Sequence, residues 1–363
     1  MEAPKEYIRI KNFGPICEVE LDPVRPFVVI VGASGSGKST VMKALALFRW
    51  IYKTLTVRSC LYHAGLSKQP LDSLPQTIWE GNGMAKFVRP TTQITYVRGN
   101  VEITYANGVL AASRIVPQTE LSLEKICFVS ERRVTISALP EAQRLEYMDY
   151  FPAETLSDFR MAAQSVRDLS LGYLGIRYLA EETPLGMKYC IANAEGEGDE
   201  DYKIDLHTAS SGIQAVIPLA VIVEYFARHY SFAKRFDPMV TAHNVHIHIE
   251  EPELNLYPES QRDLINFIVN RCLVEKHDGY GMTVMMTTHS PYIANHLNLL
   301  LMAGMKGKEE DGAFLREEDV DVFEIFGGYL NHLKQPGQVP INTRSMSDPI
   351  ADIYDRYNEL ENE

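Results

Sequence analysis

A run of glycines that ends in lysine and serine lies near the start of the chain. The stretch "FVVIVGASGSGKST" contains the pattern G-x-x-x-x-G-K-[ST] in full. Glycines let backbone N–H groups curl around phosphate oxygens, the lysine neutralises the β- and γ-phosphates, and the serine hydroxyl can ligate Mg²⁺. An apolar, β-branched run precedes the motif, and we predict a helix from Thr40 to about Trp50 after it, with its positive end at the nucleotide. The predicted nucleotide-binding residues here are Gly32, Ala33, Ser34, Gly35, Ser36, Gly37, Lys38, Ser39 and Thr40.

Two adjacent acids end a second apolar run, in the stretch "HIHIEEPELNLYP". Neighbouring carboxylates at the end of a buried strand repel each other and resist ionisation, so something positive should compensate them. Mg²⁺ and bound phosphates would do so. We predict that Glu250 holds Mg²⁺ together with Ser39, and that Glu251 orients or deprotonates the attacking water. The strand should neighbour that of the phosphate loop, and two-residue alternation turns His246 and His248 to its other face as core residues.

Two further stretches complete a recognisable order of motifs. "SSGIQAV" (210–216) resembles the signature loop of ABC-type ATPases, and "TTHSPYI" (287–293) resembles their switch-histidine loop. The acidic stretch resembles their Walker B strand, catalytic glutamate and D-loop. The opening "YIRIKNFGPI" (7–16) is similar to the first strand and turn of the SMC-like, OLD-like ATPases of bacterial defence systems. The resemblance extends from about residue 7 to 326, and four motifs in the correct order are far more specific than the phosphate loop alone.

The resemblance implies an α/β fold, the P-loop ABC-type ATPase head, with a mixed sheet, flanking helices and an antiparallel β subdomain. Two such heads would dimerise head-to-tail around two ATP molecules with Mg²⁺. Ser210, Ser211 and Gly212 would then contact the γ-phosphate bound by the partner's Lys38, at the N-terminus of an apolar helix. His289 would act as the switch residue beside the catalytic Glu251.

Two departures from the family pattern concern the acidic strand and the Q-loop. Glu250 stands where many ABC ATPases have aspartate, which changes reach but keeps the oxygen ligand. A Q-loop glutamine has no secure position; "ICFVSERR" (126–133) is a strand that ends in Glu131, Arg132 and Arg133. This end either contacts the nucleotide, carries signals to the helical lobe, or forms a solvated salt-bridge cluster.

The remaining patterns predict one ABC-type domain over residues 1–363 with two additions. Alternation in 91–108 predicts an antiparallel hairpin. Helical periodicity from about 140 to 182 predicts a compact helical lobe inserted at 134–190. Residues 327–363 form a C-terminal extension, and "LREEDVDVFEIF" before it should close the ATPase sheet. An acidic, glycine-bearing loop at 193–201 should join two strands.

Composition is that of an ordinary soluble protein with a net charge of −13. This charge argues against a surface coated for non-specific DNA binding. The five cysteines are scattered without a CxxC pair, which favours reduced, buried thiols over a metal or disulfide framework. An N-terminal signal pattern and an apolar run of about 18 residues are both lacking, so we expect a cytoplasmic protein without a membrane partner.

These observations favour a standalone ATPase that acts as a nucleotide-driven switch or scaffold. The resemblance suggests the sensor or regulatory subunit of an anti-phage defence module, with a separate nuclease or toxin as effector and a nucleic acid or phage protein as trigger. Two alternatives remain open: a DNA-repair ATPase whose dimerised heads clamp DNA, and an OLD-like nuclease with a cryptic C-terminal metal site. A transporter subunit fits least well.

Overall fold

The computed structural model describes residues 5–66, 79, 82–113, 115–138, 148–184, 186–194, 202–232, 240–277, 279–334 and 341–361. Within them lies a sheet of eleven strands, in the order β6-β5-β4-β1-β2-β15-β14-β3-β13-β12-β7. A second, antiparallel sheet has the order β11-β10-β9-β8. The architecture is α/β with a large mixed sheet and flanking helices, as the sequence predicted.

Five parallel strands form the part of the large sheet that matters for the site. They are β14 (Val320–Phe326), β3 (Phe27–Val31), β13 (Gly281–Thr288), β12 (Ala242–Glu250) and β7 (Ser122–Val129). All five residues of β3 are buried, as expected for a parallel strand covered on both faces. The prediction that the acidic strand neighbours the phosphate-loop strand is wrong, because β13 lies between β3 and β12.

The antiparallel end of the large sheet contains the N-terminal strands β1 (Glu6–Phe13) and β2 (Ile16–Leu21). Next to β1 lie β4 (Gln93–Arg98), β5 (Val101–Ala106) and β6 (Val109–Ala112). The β4–β5 pair turns at Gly99-Asn100, so the predicted hairpin is confirmed. Alternating burial along β1, β4 and β5 places one face of this subdomain against the core.

Helices cover both faces of the parallel strands. The helix after the phosphate loop, α1 (Lys38–His63), is much longer than the predicted end at Trp50, and packs against Val28 and Ile30 of β3. The opposite face of β3 packs with α4 (Ser211–Arg228), α5 (Pro258–Val269) and α6 (Pro291–Met305). By length and composition α4 could cross a membrane, but 67% of it is buried in the fold, so its apolar character serves the core.

The predicted helical lobe at 134–190 is helical only in its first part. The helices are α2 (Val134–Ala138) and α3 (Tyr150–Ser165), with 139–147 outside the described residues. Then follow four strands, β8 (Asp168–Leu171), β9 (Ile176–Thr183), β10 (Gly186–Asn193) and β11 (Lys203–Asp205). The helix prediction for 168–182 is wrong because burial there alternates with period two around a turn at Gly175. Strands flank the predicted acidic loop, but residues 195–201 lie outside the described part.

The C-terminal segment closes the sheet, as predicted, with β14 beside β3. The strand β15 (Tyr329–His332) pairs with β14 and touches β2, so the sheet continues past the predicted boundary at 327. The last helix is α7 (Arg344–Glu361). Because β15 belongs to the sheet, the predicted C-terminal extension would begin after His332 instead of at 327.

Candidate functional site

The carboxyl ends of the parallel strands bring the separate motifs to one edge of the sheet. Val31 lies level with Thr288, Glu250 with Thr287, and Ile249 with Val129. The next residues along each strand are therefore the phosphate loop, His289, Glu251 and the 130–133 turn. Ligands of open α/β sheets bind outside this edge.

The phosphate loop needs its glycines for backbone conformation. Gly32 has a φ of +145° and Gly37 a φ of +111°. A Cβ on Gly32 would lie 2.7 Å from the Ile325 carbonyl oxygen, and one on Gly37 would lie 2.6 Å from Ile16 Cδ1. Any larger residue would therefore distort the loop in front of α1, where the first helical N–H groups point toward the edge.

The Lys38 side chain lies back along the loop. Its Nζ donates to the carbonyl oxygens of Gly32 and Ala33 at 2.9 and 3.0 Å and lies 2.9 Å from His289 Nε2. Burial lowers the pKa of Lys38, while the carboxylates of Glu251 and Glu253 counteract this shift. A desolvated ammonium at this position is suited to bind an anion, because an oxygen of a negatively charged phosphate group would compensate the positive charge better than neutral carbonyls do.

His289 connects the lysine with the predicted catalytic glutamate. Glu251 Oε1 lies 3.3 Å from the same His289 Nε2 that Lys38 approaches. One ring nitrogen cannot both accept a proton from Lys38 and donate one to Glu251. We call Lys38, Glu251 and His289 the edge site. The structure brings these three predicted residues together.

Glu251 itself is held by its backbone in an uncommon conformation. Its φ is +44°, its N–H donates to the Thr287 carbonyl at 2.9 Å, and its side chain is about one-third exposed. A left-handed, non-glycine residue is strained by roughly 1 kcal/mol or more and is often found at functional sites. The turn aims the carboxylate away from the strand and toward the edge.

Glu250 is buried and pairs with a lysine that sequence reasoning did not assign. Its Oε1 lies 2.8 Å from Lys43 Nζ, and its Oε2 accepts the Glu131 N–H at 3.3 Å. Burial raises the pKa of Glu250, the nearby Glu131 carboxylate raises it further, and Lys43 opposes both. Glu131, which follows β7, thereby joins Glu250 as a second carboxylate facing the edge.

The residues present fit Mg²⁺ and a triphosphate in their chemistry. Ser39 and Glu250 offer the oxygen ligands that Mg²⁺ prefers. Two hydroxyl oxygens of the same edge, Ser36 Oγ and Thr287 Oγ1, are buried and form no hydrogen bond within the described part of the chain. Buried hydroxyls without a partner are costly, so a polar ligand at this edge would relieve them.

The predicted signature residues lie at the N-terminus of α4. Ser210 caps the helix by accepting the Ile213 N–H at 3.5 Å, and both Ser210 and Ser211 are exposed. Gly212 is buried; a Cβ there would lie 2.7 Å from the Asn255 carbonyl oxygen in the loop after Glu251. Among the described residues, the hydrogen bonds of Ser210 stay within α4, and the near neighbours of Gly212 belong to the loop after Glu251.

Two further residues near the edge, Arg133 and Glu253, make contacts that sequence reasoning did not assign, because their partners are distant in the chain. Arg133 is fully buried and donates to the carbonyl oxygens of Glu250 at 2.7 Å, Glu251 at 2.6 Å and Ala215 of α4 at 2.8 Å. Burial lowers its pKa to about 10, although nearby carboxylates counteract this. Arg133 thus ties the turn that carries Glu251 to helix α4.

Glu253 is the second of these residues. Its Oε1 accepts both the Thr288 hydroxyl and the His289 N–H at 2.7 Å, which fixes the backbone that carries His289.

The solvated-cluster interpretation of 131–133 is wrong for Arg133. Arg132, in contrast, forms an exposed ion pair with Asp149 at 2.7 Å.

The core histidines and the C-terminal acids have structural partners. His246 and His248 are buried, as predicted; His246 Nε2 lies 2.6 Å from Glu124 Oε2. Asp321, in the acidic stretch considered for a nuclease metal site, lies 3.0 Å from His332 and 3.7 Å from Arg25. The described residues contain no cluster of three or more His, Cys, Asp or Glu side chains placed to hold a metal.

Fold and site together define a class, the α/β P-loop proteins of the ATPase type. A family model described as "AAA ATPase domain" matches residues 131–294, and one described as "AAA domain" matches residues 7–52. The first match contains the acidic pair, the signature loop and His289, and the second contains the whole phosphate loop. Both support an ATP-binding, ATPase-type domain. The comparison with curated proteins gives no significant match.

Solved structures with a similar chain path include an SmcHead bound to the C-winged helix domain of ScpA (13% identity, TM-score 0.41, covering 91% of this chain and 97% of that one). Another is the SMC head domain from Thermotoga maritima (10%, 0.40, 94% and 100%). A third is the recombination mediator protein RecF-ATPrS in the RecFOR pathway (10%, 0.39, 91% and 99%). At these scores we draw no functional conclusion from them.

Proposed function

We propose that this chain binds and hydrolyses ATP at the edge site. The observation that carries the proposal is the convergence of Lys38, His289 and Glu251 in front of a glycine-rich loop, with contacts of 2.9 and 3.3 Å. Lys38 begins α1, whereas His289 directly follows β13 and Glu251 directly follows β12. No core-packing requirement explains why these three charged or polar groups meet at one edge.

Each residue has a distinct role in this proposal. The loop N–H groups and Lys38 bind the β- and γ-phosphates, and Ser39 with Glu250 holds Mg²⁺, which supplies charge neutralisation when bound. Glu251 accepts a proton from the attacking water and orients it. His289 hydrogen-bonds the γ-phosphate or that water, and Glu253 keeps His289 in position.

We further propose that the complete site is composite, made from two heads. Exposure of Ser210 and Ser211 at the N-terminus of an 18-residue helix supports this, because such a terminus favours an anion. Arg133 would then connect the two sites of the dimer, since it binds both the turn that carries Glu251 and the first turn of α4.

The biological assignment is a proposal that depends on the family resemblance. We propose a nucleotide-driven switch of the OLD-like class, the regulatory subunit of an anti-phage defence module with a separate nuclease or toxin effector. The similarity of residues 7–16 to the first strand and turn of such ATPases supports it.

Mixing two inactive variants tests the composite site. Ser211→Arg leaves its own phosphate loop intact but places bulk against the partner's nucleotide, whereas Lys38→Ala disables its own loop. Gly212 is unsuitable for this test because any side chain there meets Asn255 in its own chain. Each mixed dimer contains one site with both lesions and one with neither, so phosphate release should reappear.

The control is Ser211→Ala, which removes the hydroxyl without bulk, mixed with wild type. A site complete within one chain predicts no recovery on mixing. Full turnover by Ser211→Arg alone, measured on a sample that light scattering shows to be a single chain, contradicts the composite site.

A further inference from the structure

The C-terminal helix α7 is exposed to solvent over its second half. It is anchored at its start, where Thr343 donates to Asn295 Oδ1 at 2.7 Å and Met346 packs against the core. From residue 352 to 361 every residue is exposed. About three turns of helix therefore extend from the domain, although so short a helix is marginal in water when nothing packs against it.

The exposed part nevertheless carries a stripe of large apolar side chains. Ile353, Tyr357 and Leu360 are 66%, 61% and 72% exposed, and their spacing of four and then three residues is that of coiled-coil a and d positions. Tyr354, 66% exposed, borders the stripe. Exposed apolar stripes of this kind mark surfaces that bind another protein.

The charges around the stripe identify what it binds. We assign Ile353 and Leu360 to d positions and Tyr357 to an a position of the heptad. Four acidic residues then lie on the outward side of the helix, namely Asp348, Asp352, Asp355 and Glu359. The flanking charges are Arg356 at g and Glu361 at e. In a parallel pair of identical helices, g of one chain faces e of the next heptad in the other, so Arg356 would face Glu361 of the partner subunit twice by symmetry. An antiparallel pair would place like charges together.

We infer that α7 pairs in parallel with the α7 of a second copy of this chain, as a dimer contact separate from the ATP site. This contact does not depend on the proposed ATPase function, because it requires no nucleotide. Three a and d positions per chain form a weak pair, so the association should respond to protein concentration.

The first test is light scattering on the full chain without nucleotide. The wild type should shift from one to two chains as concentration rises. The double variant Ile353→Asp with Leu360→Asp should raise the dissociation constant at least about tenfold. The matched control is Asn358→Asp, which adds one negative charge on the outward side, as the single variant Ile353→Asp adds one within the stripe. Asn358→Asp should pair like wild type, whereas Ile353→Asp should weaken pairing. A wild type that stays a single chain at every concentration, or equal pairing by the double variant, overturns the inference.

Orientation is tested by charge and by crosslinking. Arg356→Glu should weaken pairing, and Arg356→Glu with Glu361→Arg should restore it. In a Cys17→Ser background, which removes the exposed thiol among the described cysteines, Ile353→Cys should form a disulfide dimer under mild oxidation and Asp355→Cys should not. Failure of Ile353→Cys to crosslink, or equal crosslinking by both, contradicts a parallel pair.

The ATP proposal and this inference can fail separately. Lys38→Ala should keep nucleotide-free pairing, and the Ile353→Asp, Leu360→Asp variant should keep Mg·ATP binding by each chain. Loss of pairing in Lys38→Ala would show that the dimer contact lies at the ATP site instead of α7.

Discussion

Two charged clusters lie along strand β12 and differ in how their charges are compensated. The buried network lies in mid-strand and comprises Glu6, Arg49, Arg98, Glu124, His246 and His248. The edge site lies beyond the strand's carboxyl end. In the network each ionic group has an opposite charge at hydrogen-bond distance, whereas in the edge site one histidine nitrogen is approached by both a lysine and a glutamate.

The buried network is electrically balanced. Arg49 donates to both oxygens of Glu6 at 2.8 and 2.7 Å, and Arg98 lies 3.1 Å from Glu124. Although burial would raise it, the Arg49 guanidinium holds the pKa of Glu6 well below its usual range. Burial lowers the pKa of His246 to about 4, so this residue is neutral at pH 7. Buried charge therefore does not by itself mark a functional site, because the charges of this network are compensated by contacts within the fold.

The largest effect should follow from breaking the balanced network. Arg49→Met leaves the Glu6 carboxylate buried without its main partner, which should reduce the free energy of unfolding by about 3–5 kcal/mol. Urea denaturation measures this. Arg58→Met, at an exposed position of the same helix, is the control and should change stability by less than about 0.5 kcal/mol. A loss equal to the control's would show that the network does not stabilise the fold.

Removing charge from the edge site should affect turnover instead of stability. Glu251→Gln keeps the shape of the side chain and leaves Glu250 in place, but removes the carboxylate that we propose accepts the water's proton. Phosphate release should fall by at least about 10²-fold while ATP still binds. Glu259→Gln, at an exposed position in α5, is the matched control. Normal hydrolysis by Glu251→Gln would remove it from the catalytic role.

A smaller effect concerns the pH dependence of stability, to which the buried network should contribute through His246. The pKa of His246 lies near 4 in the fold against 6.5 for the free side chain, so between these values only the unfolded chain binds the proton. Stability should therefore fall as pH drops from about 6.5 to 4, by at most about 1.4 kcal/mol per pH unit for this residue. His246→Gln should make this slope shallower, whereas His207→Gln, at an exposed position, should not. An unchanged slope in His246→Gln would mean that the buried imidazole already carries the proton.

The proximity of Lys38, Glu251 and His289 could be expected from the sequence because its determinants are local. Lys38 follows its glycines directly, and Glu251 and His289 each follow an apolar strand, so motif and position coincide. The core role of His246 followed from alternation alone. The network around it could not be predicted, because Glu6, Arg98 and Glu124 come from three other strands.

The lobe shows where sequence reasoning failed. Buried and more exposed residues alternate along β8 and β9, with Leu169, Leu171, Ile176 and Tyr178 buried. This period-two pattern is present in the amino-acid sequence. The helical pattern of α3 immediately before it was extended through the turn at Gly175. The contacts of Arg133 and Lys43 could not be predicted for a different reason, since they are made with carbonyl and carboxylate groups more than 80 residues away along the chain.

Binding of Mg·ATP by wild type and by Lys38→Ala tests the central claim most directly. Lys38→Ala removes the ammonium group that contacts the loop carbonyls and His289, and it should leave the buried network untouched. Wild type should bind Mg·ATP, gain about 2.7 kcal/mol of stability at 100 times the dissociation constant, and release phosphate. Lys38→Ala should show none of these, while Lys86→Ala, at an exposed position, should match wild type. Equal ATP-dependent stabilisation and turnover in Lys38→Ala would contradict the assignment of the edge site.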